Sequence, residues 1–203
     1  MKKLTLIIFV LITSFSFSQR TYTEGSFIFE KGEDLSWLVP KKTKIQIFVH
    51  SDSLIVNDIA PDTLLQYLRN LYGSEIWTKK WKAHQEELFP HFFAKAFGDR
   101  MSELKIESGL DVKDANLIMN VYARNTQVKN MKPPGMSTSS HTEFRILVSN
   151  AGSPKDVVAH IEMSGIPGGM QAMNADNTWV ANIKFGCRRA AEMLGDYFIQ
   201  NKK

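Results

Sequence analysis

The chain has 203 residues, 43% hydrophobic and 23% charged, with 25 lysines and arginines against 21 aspartates and glutamates. That balance excludes a disordered, charge-dominated chain, and a formal net charge of +4 offers no sign of the clustered basic face that nucleic-acid binding requires. A single cysteine, Cys187, excludes an intramolecular disulfide, so the fold must be held by its core.

The opening segment, MKKLTLIIFVLITSFSFS, carries two lysines, an apolar run from Leu4 to Ile12 and small polar residues up to Ser18. This is the layout of a secretory signal peptide, its apolar run too short to cross the hydrocarbon layer of a membrane. Cleavage is expected between Ser18 and Gln19, which takes Lys2 and Lys3 away and leaves 23 basic residues against 21 acidic ones. No later stretch is long and apolar enough for a transmembrane helix. No cysteine follows the cleavage point to carry a lipid. The mature protein is therefore expected to be exported, to the periplasm or the extracellular medium, with neither a transmembrane segment nor a lipid anchor.

The chain divides into the signal peptide, 1–18, an irregular N-terminal arm, 19–42, and a single α+β domain, 43–203. The arm holds Gly25 and Gly32, an apolar patch at Phe27–Phe29 and Trp37-Leu38-Val39 ahead of Pro40. Its aromatics should pin it to the core, with room for one short edge strand. TKIQIFVH, 43–50, is β-branched and places Ile45, Ile47 and Val49 on one face, which predicts the first strand. A helix is expected from Asp62 or Thr63, after Pro61, to a C-cap at Gly73. From about Glu75 to Ile106, Trp77, Trp81, Leu88, Phe89, Phe92, Phe93, Ala96, Phe97, Met101 and Leu104 recur at helical spacing, as one buried stripe requires. Pro90, which has no amide hydrogen, should kink this helix or start a new one.

ANLIMNVYARNTQV, 115–128, alternates but is apolar on both faces, as a central strand would be. HTEFRILVSN and DVVAHIEMSG follow as strands of a hairpin, with Gly152 and Pro154 supplying the turn. The C-terminal segment places Trp179, Ile183, Ala190, Leu194 and Phe198 on a helical stripe capped by Asn177 or Thr178. The expected fold class is α+β: a two-layer sandwich with a mostly antiparallel sheet, in the order strand, helices, three-strand meander, C-terminal helix.

Motifs that would name a chemistry are missing. GIPGGMQAMN, 165–174, is a glycine-rich joint between strand and helix, but it has no Lys-Ser or Lys-Thr pair and not the glycine spacing of a dinucleotide fingerprint. It reads as a flexible turn. The five histidines, His50, His84, His91, His141 and His160, meet no zinc-ligand spacing, and Cys187 stands alone. Neither MSTSS nor EMSGI supplies the strained GxSxG turn of a serine nucleophile. WTKKWK, 77–82, pairs tryptophan with lysine like an interfacial anchor, yet Trp77 and Trp81 fall on the stripe that the core should claim. No catalytic residue, metal or cofactor is expected.

The segment from about Lys113 to Lys203 resembles a group of small exported proteins of gram-negative bacteria that have no established activity. The resemblance rests on the strand DANLIMNVYARNTQV, the hairpin TEFRILVSNAGSPKDVVAHIEMSGIPG and the helix CRRAAEMLGDYFIQN. More distantly, the layout is similar to the amino-terminal domain of the Tol-system β-propeller protein and to the lipoprotein activators of penicillin-binding proteins. The resemblance implies a fold and a compartment but no catalytic residue. The chain departs from the lipoproteins in lacking their lipidated cysteine, so no tether is implied.

Two functional readings follow. The first is a non-enzymatic envelope or secreted module in which a sheet edge, or the loops 129–141 and 165–173, meets another protein. Its binding residues would be Lys129, Lys132, Met136, Met170 and Met173. The second is a small-molecule binder or hydrolase with a pocket between the sheet and the long helix. There His50 with Asp52, and His141 and His160 on the hairpin, could share a sheet face and do acid-base work. The oligomeric state is left open by both.

Overall fold

The computed structural model describes residues 25–128, 140–168 and 178–202. The sheet begins with β1, Ser26–Lys31, and β2, Lys44–His50, followed by the two-residue β3, Ile55–Val56. Helices α1, Pro61–Tyr72, and α2, Ser74–Ala83, lead into a π-helical turn, His84–Leu88, and then α3, Phe89–Met101. After a 3₁₀ turn, Ser102–Leu104, come β4, Glu107–Gly109, the long strands β5, Leu117–Val128, β6, Ser140–Asn150, and β7, Ser153–Pro167, and finally α4, Thr178–Lys202.

The π turn is where the proline acts. An α-helix continuing through Pro90 would need an amide hydrogen that proline lacks, and its ring would press on the carbonyl of residue 86. The chain widens instead, and Phe89 N–H donates to His84 O. A new α-helix then starts with Pro90 in its first turn. The stripe is buried as its spacing requires: Trp77, Trp81, Phe89, Phe93, Phe97, Met101 and Leu104 lie in the core, with Leu88 and Ala96 packed against it.

The strand order is β1-β7-β6-β5-β2-β4, with β3 also pairing β5. The pairs β1/β7, β7/β6 and β6/β5 are antiparallel, whereas β2/β5, β2/β4 and β3/β5 are parallel. The sheet is therefore mixed, which corrects the expectation of a mostly antiparallel one. The connection from β2 through the helices crosses over so that β2 and β5 lie as parallel neighbours. The further parallel pairings come from β3 and β4, whose two and three residues are too few to carry an alternating pattern. β5 is central, as its two apolar faces imply. The β6–β7 hairpin forms with Ser153 and Pro154 already inside β7. Near its far end Gly165 has φ +63°, where the β6–β7 register shifts between Thr142 and Phe144. Part of the glycine-rich joint is thus a bulged strand end, a use of glycine that needs no phosphate.

One face of the sheet lies in the core. Ile45, Ile47, Leu117, Met119, Val121, Phe144, Ile146, Val148, Ala159, Ile161 and Met163 are buried there, beneath α3 and α4. Ile183, Ala190, Leu194 and Phe198 of α4 face them. The arm joins the same core: Phe27 and Phe29 lie 5.0 and 5.1 Å from the Tyr197 ring, and Trp37 meets Phe198 edge-on at 5.4 Å. The residues that alternate with the buried set point away from the helices and are half-buried or exposed.

Candidate functional site

His50, His141 and His160 occupy that open face, but the sheet keeps them apart. Cross-strand register places His50 beside Tyr122, Tyr122 beside Arg145 and Arg145 beside Glu162. His160 sits one step along β7, opposite Leu147, and His141 lies at the end of β6 opposite Gln127 and Pro167. With strands about 4.8 Å apart, His50 on β2 and His160 on β7 stand three strand spacings from one another. Each has its own partners. The His50 Nε2–H donates to Asn120 Oδ1 at 3.0 Å, and its ring stacks on Tyr122 at 4.7 Å. Asp52 is exposed in the turn beyond β2. The histidines and Asp52 thus do not converge on one point. Lys129, Lys132, Met136, Met170 and Met173 lie outside the described residues.

His160 belongs to a charged cluster that the sequence reading did not single out. Glu162 Oε1 accepts from Arg145 Nε at 2.6 Å and from His160 Nε2 at 3.0 Å, and Arg124 Nη1 lies 3.6 Å from Oε2. Arg124 reaches Glu162 from the register shift of β5 between Ala123 and Asn125. Burial pushes the Glu162 carboxyl upward, but the hydrogen bonds from Arg145 and His160 and the charges of Arg145 and Arg124 outweigh it, so the net pKa lies below the usual glutamate value. A carboxyl lowered on folding stabilises the native state above its unfolded pKa, and this is lost as pH falls through the folded value. Glu162→Gln should accordingly cost up to about 1 kcal/mol near neutral pH, since the partners are well exposed and screened. Urea midpoints of the variant and the parent protein should converge as the pH falls below the folded-state pKa of Glu162. A deficit that persists there would show that the cluster acts through packing rather than charge.

Two further groups, Cys187 and His84, are held in their uncharged forms. Burial pushes the Cys187 thiol up to about 12, so it stays protonated and unreactive. Burial, then the Lys80 charge, lowers His84 below its ordinary value, which keeps it neutral near pH 7. Among the described residues no group of three or more His, Cys, Asp or Glu is placed to hold a metal ion, and no helix is long and apolar enough to cross a membrane.

Space between the sheet and α3 is filled by Phe89, Phe93, Phe97, Met101 and Phe144, all fully buried. Open grooves lie elsewhere. One, about 380 Å³ between α3 and α4, is lined by Phe92 and by charged side chains of both helices. Those charges satisfy one another in the pairs Lys95–Asp99, Arg188–Glu192 and Arg100–Asp196.

Another groove, about 430 Å³, runs along the outer edge of β2 from Ile47 to Asp52, with Gln85, Glu86, Pro90 and Leu110 on its far side. Its cause is the short β4, which pairs only with Lys44, Ile45 and Gln46. There the chain turns away, clipped by the Gln46 side chain, which donates to Leu110 O and accepts from Val112 N–H. Past this clip no described strand pairs with that edge of β2. The π turn supplies the opposite wall, with Gln85 Nε2 donating to Ser51 O at 2.7 Å. Phe48 and Leu110 stand 44% and 40% exposed beside the groove, while Asp52 and Glu86 make its far end acidic. Sequence reasoning counted Asp52 as a partner of His50 and overlooked Phe48, whose exposed position on the alternation of β2 was the available signal.

Fold and groove define the class: an α+β protein with a seven-stranded mixed sheet whose β2 edge is half uncovered. No family model and no curated protein matches the chain. Among solved structures it is similar to a Xanthomonas campestris protein assigned to family DUF330, 11% identical, with a TM-score of 0.40 over 81% of this chain and 89% of that one. It is also similar to PelC from Paraburkholderia phytofirmans, solved as a dodecamer in two crystal forms, 9% identical, with a TM-score of 0.30 over 83% of this chain and 96% of that one. The DUF330 neighbour is bacterial and of unknown function, and at these similarities neither protein bears on the groove. The likeness to the Tol-system domain and to the activators of penicillin-binding proteins finds no support among these matches.

Proposed function

We propose that this protein is exported and acts, without catalysis, as a protein-interaction module of the cell envelope or the surrounding medium, built as a two-layer sandwich that presents a sheet edge to its partner. Export rests on the lysine-led apolar segment at residues 1–18. The observation that carries the interaction is the uncovered half of β2: a row of backbone donors and acceptors beside exposed Phe48 and Leu110, the features that strand addition uses. A second contact zone fits the same reading. Val128 pairs with Ser140 and Gly168 N–H donates to Ser140 O at 2.9 Å, so these described residues, which flank 129–139 and precede 169–177 in sequence, meet at one end of the sheet.

The test is cross-linking of the tagged mature protein in its own cells, with mass spectrometry of what co-purifies. Phe48→Glu, at an exposed position, should leave the far-ultraviolet circular dichroism unchanged and reduce recovery of a recurrent partner about tenfold or more. Equal recovery from the variant would remove β2 from the interface. A small ligand in the same groove is the second reading, favoured by a volume within the usual range for ligand sites and by His50 and Asp52 on its wall. Ligand-dependent thermal stabilisation in a metabolite and glycan screen would support it, because a ligand that binds only the folded state raises its stability by mass action.

A further inference from the structure

The two ends of the sheet are protected differently. The outer strand β1, SFIFEK, places Glu30 and Lys31 at its end and shifts register between Phe29 and Lys31, which are common guards against unwanted strand pairing. The uncovered part of β2 is Ile47-Phe48-Val49-His50, with no charge, proline or bulge. β4 runs in the lane beside it for three residues and then stops. No described strand continues that lane beside Ile47–His50.

The groove walls limit what can enter. Phe48 and Leu110 form an apolar end. Four residues after Phe48, in the turn beyond β2 and within about 13 Å of it, Asp52 makes no ion pair among the described residues and lies near Glu86, whose described ion pair is a 3.6 Å contact with Lys82 on an exposed surface. Lys82 partly neutralises Glu86, so Asp52 supplies most of the selection for charge. His50 is turned toward Asn120 and Tyr122 instead.

Resting on the reading of the protein as an interaction module, we propose that this half-edge accepts an extended segment of a partner protein bearing a large apolar side chain and, three or four residues along, a lysine or arginine. Backbone pairing along Ile47–His50 gives the affinity. The apolar residue against Phe48 and Leu110 sets the register, and the cation beside Asp52 sets the preference for charge.

The probes are two synthetic peptides of alternating valine and charged residues around one central phenylalanine, one with lysines and the other with glutamates in their place. Binding is followed by fluorescence titration, and its location by amide hydrogen exchange. The lysine peptide should slow exchange at Ile47–His50 about tenfold or more, bind more tightly than the glutamate peptide, and weaken with added salt. Asp52→Asn, at an exposed turn, should lower its affinity about threefold, and Phe48→Ser should lower it more. Equal binding of the two peptides, or protection on β1 instead of β2, would overturn the proposal. Cellular capture separates the two readings: partner recovery lost in Phe48→Glu but unchanged in Asp52→Asn, with equal peptide binding, keeps the edge and rejects the basic segment. Lysine-selective protection of β2 with partner recovery unchanged in Phe48→Glu supports the segment preference and rejects this edge as the partner's site.

Discussion

Replacing Phe97 with alanine is expected to cost about 3–5 kcal/mol, the largest loss from any single truncation considered for this fold. Phe97 is fully buried in α3. Its ring lies 6.1 Å from Phe93 in a stacked arrangement and 6.0 Å from Phe198 of α4 edge-on, and Phe198 in turn receives Trp37 of the arm at 5.4 Å. Removing it opens a cavity where α3, α4 and the arm meet, a place that cannot collapse without moving all three. A domain with about 5–15 kcal/mol of total stability would lose much of it. Phe92, one turn away and half-buried under the Lys184 ammonium at 4.8 Å, makes the control: its alanine variant should cost about 1 kcal/mol. Urea unfolding of both variants checks the difference, and similar midpoints would place Phe97 outside the core.

Gly32→Ala should also be severe, for a backbone reason. Gly32 has φ +79°, and an added Cβ would fall 2.4 Å from Val158 O and 2.9 Å from the Ala159 Cβ. The left-handed conformation alone costs an L-residue about 1–2 kcal/mol, and a clash with the β7 backbone has no flexible side chain to absorb it. This turn also holds the arm in place: Gly32 O accepts from Leu35 N–H at 3.1 Å and from Trp37 Nε1–H at 2.9 Å, and Leu35 and Leu38 behind it are buried. The expected result is therefore release of β1 from β7 and not merely a lower midpoint. A bare β7 edge pairs readily with another chain, so size-exclusion chromatography should show concentration-dependent association beyond that of the parent protein. A variant that elutes and melts like the parent would show that the turn can relax without cost.

Much of the fold was legible from local patterns. The alternation of TKIQIFVH, the two-faced apolarity of 117–122, the Gly152 turn and the aromatic stripe through α3 each obey a rule that acts over a few residues, and each forms where it was expected. Pro90 was legible as a break, though not as the π turn that aims Gln85 at Ser51. The candidate site was less so. His50 and Asp52 do line the β2 groove, and His50, His141 and His160 share the open face, but register puts them on different strands and rows and so keeps them apart.

By itself the sequence determined the kind and order of the long elements and which side of each faces the core, because periodicity and turn chemistry are written in neighbouring residues. Tertiary structure alone decided the parallel pairings of β3 and β4, the gathering of Arg124, Arg145 and His160 around Glu162, and the half-covered edge that exposes Phe48 near Asp52. Those depend on where strands distant in sequence stop beside one another, and a three-residue strand held by the side chain of Gln46 leaves no periodic trace from which its end could be read.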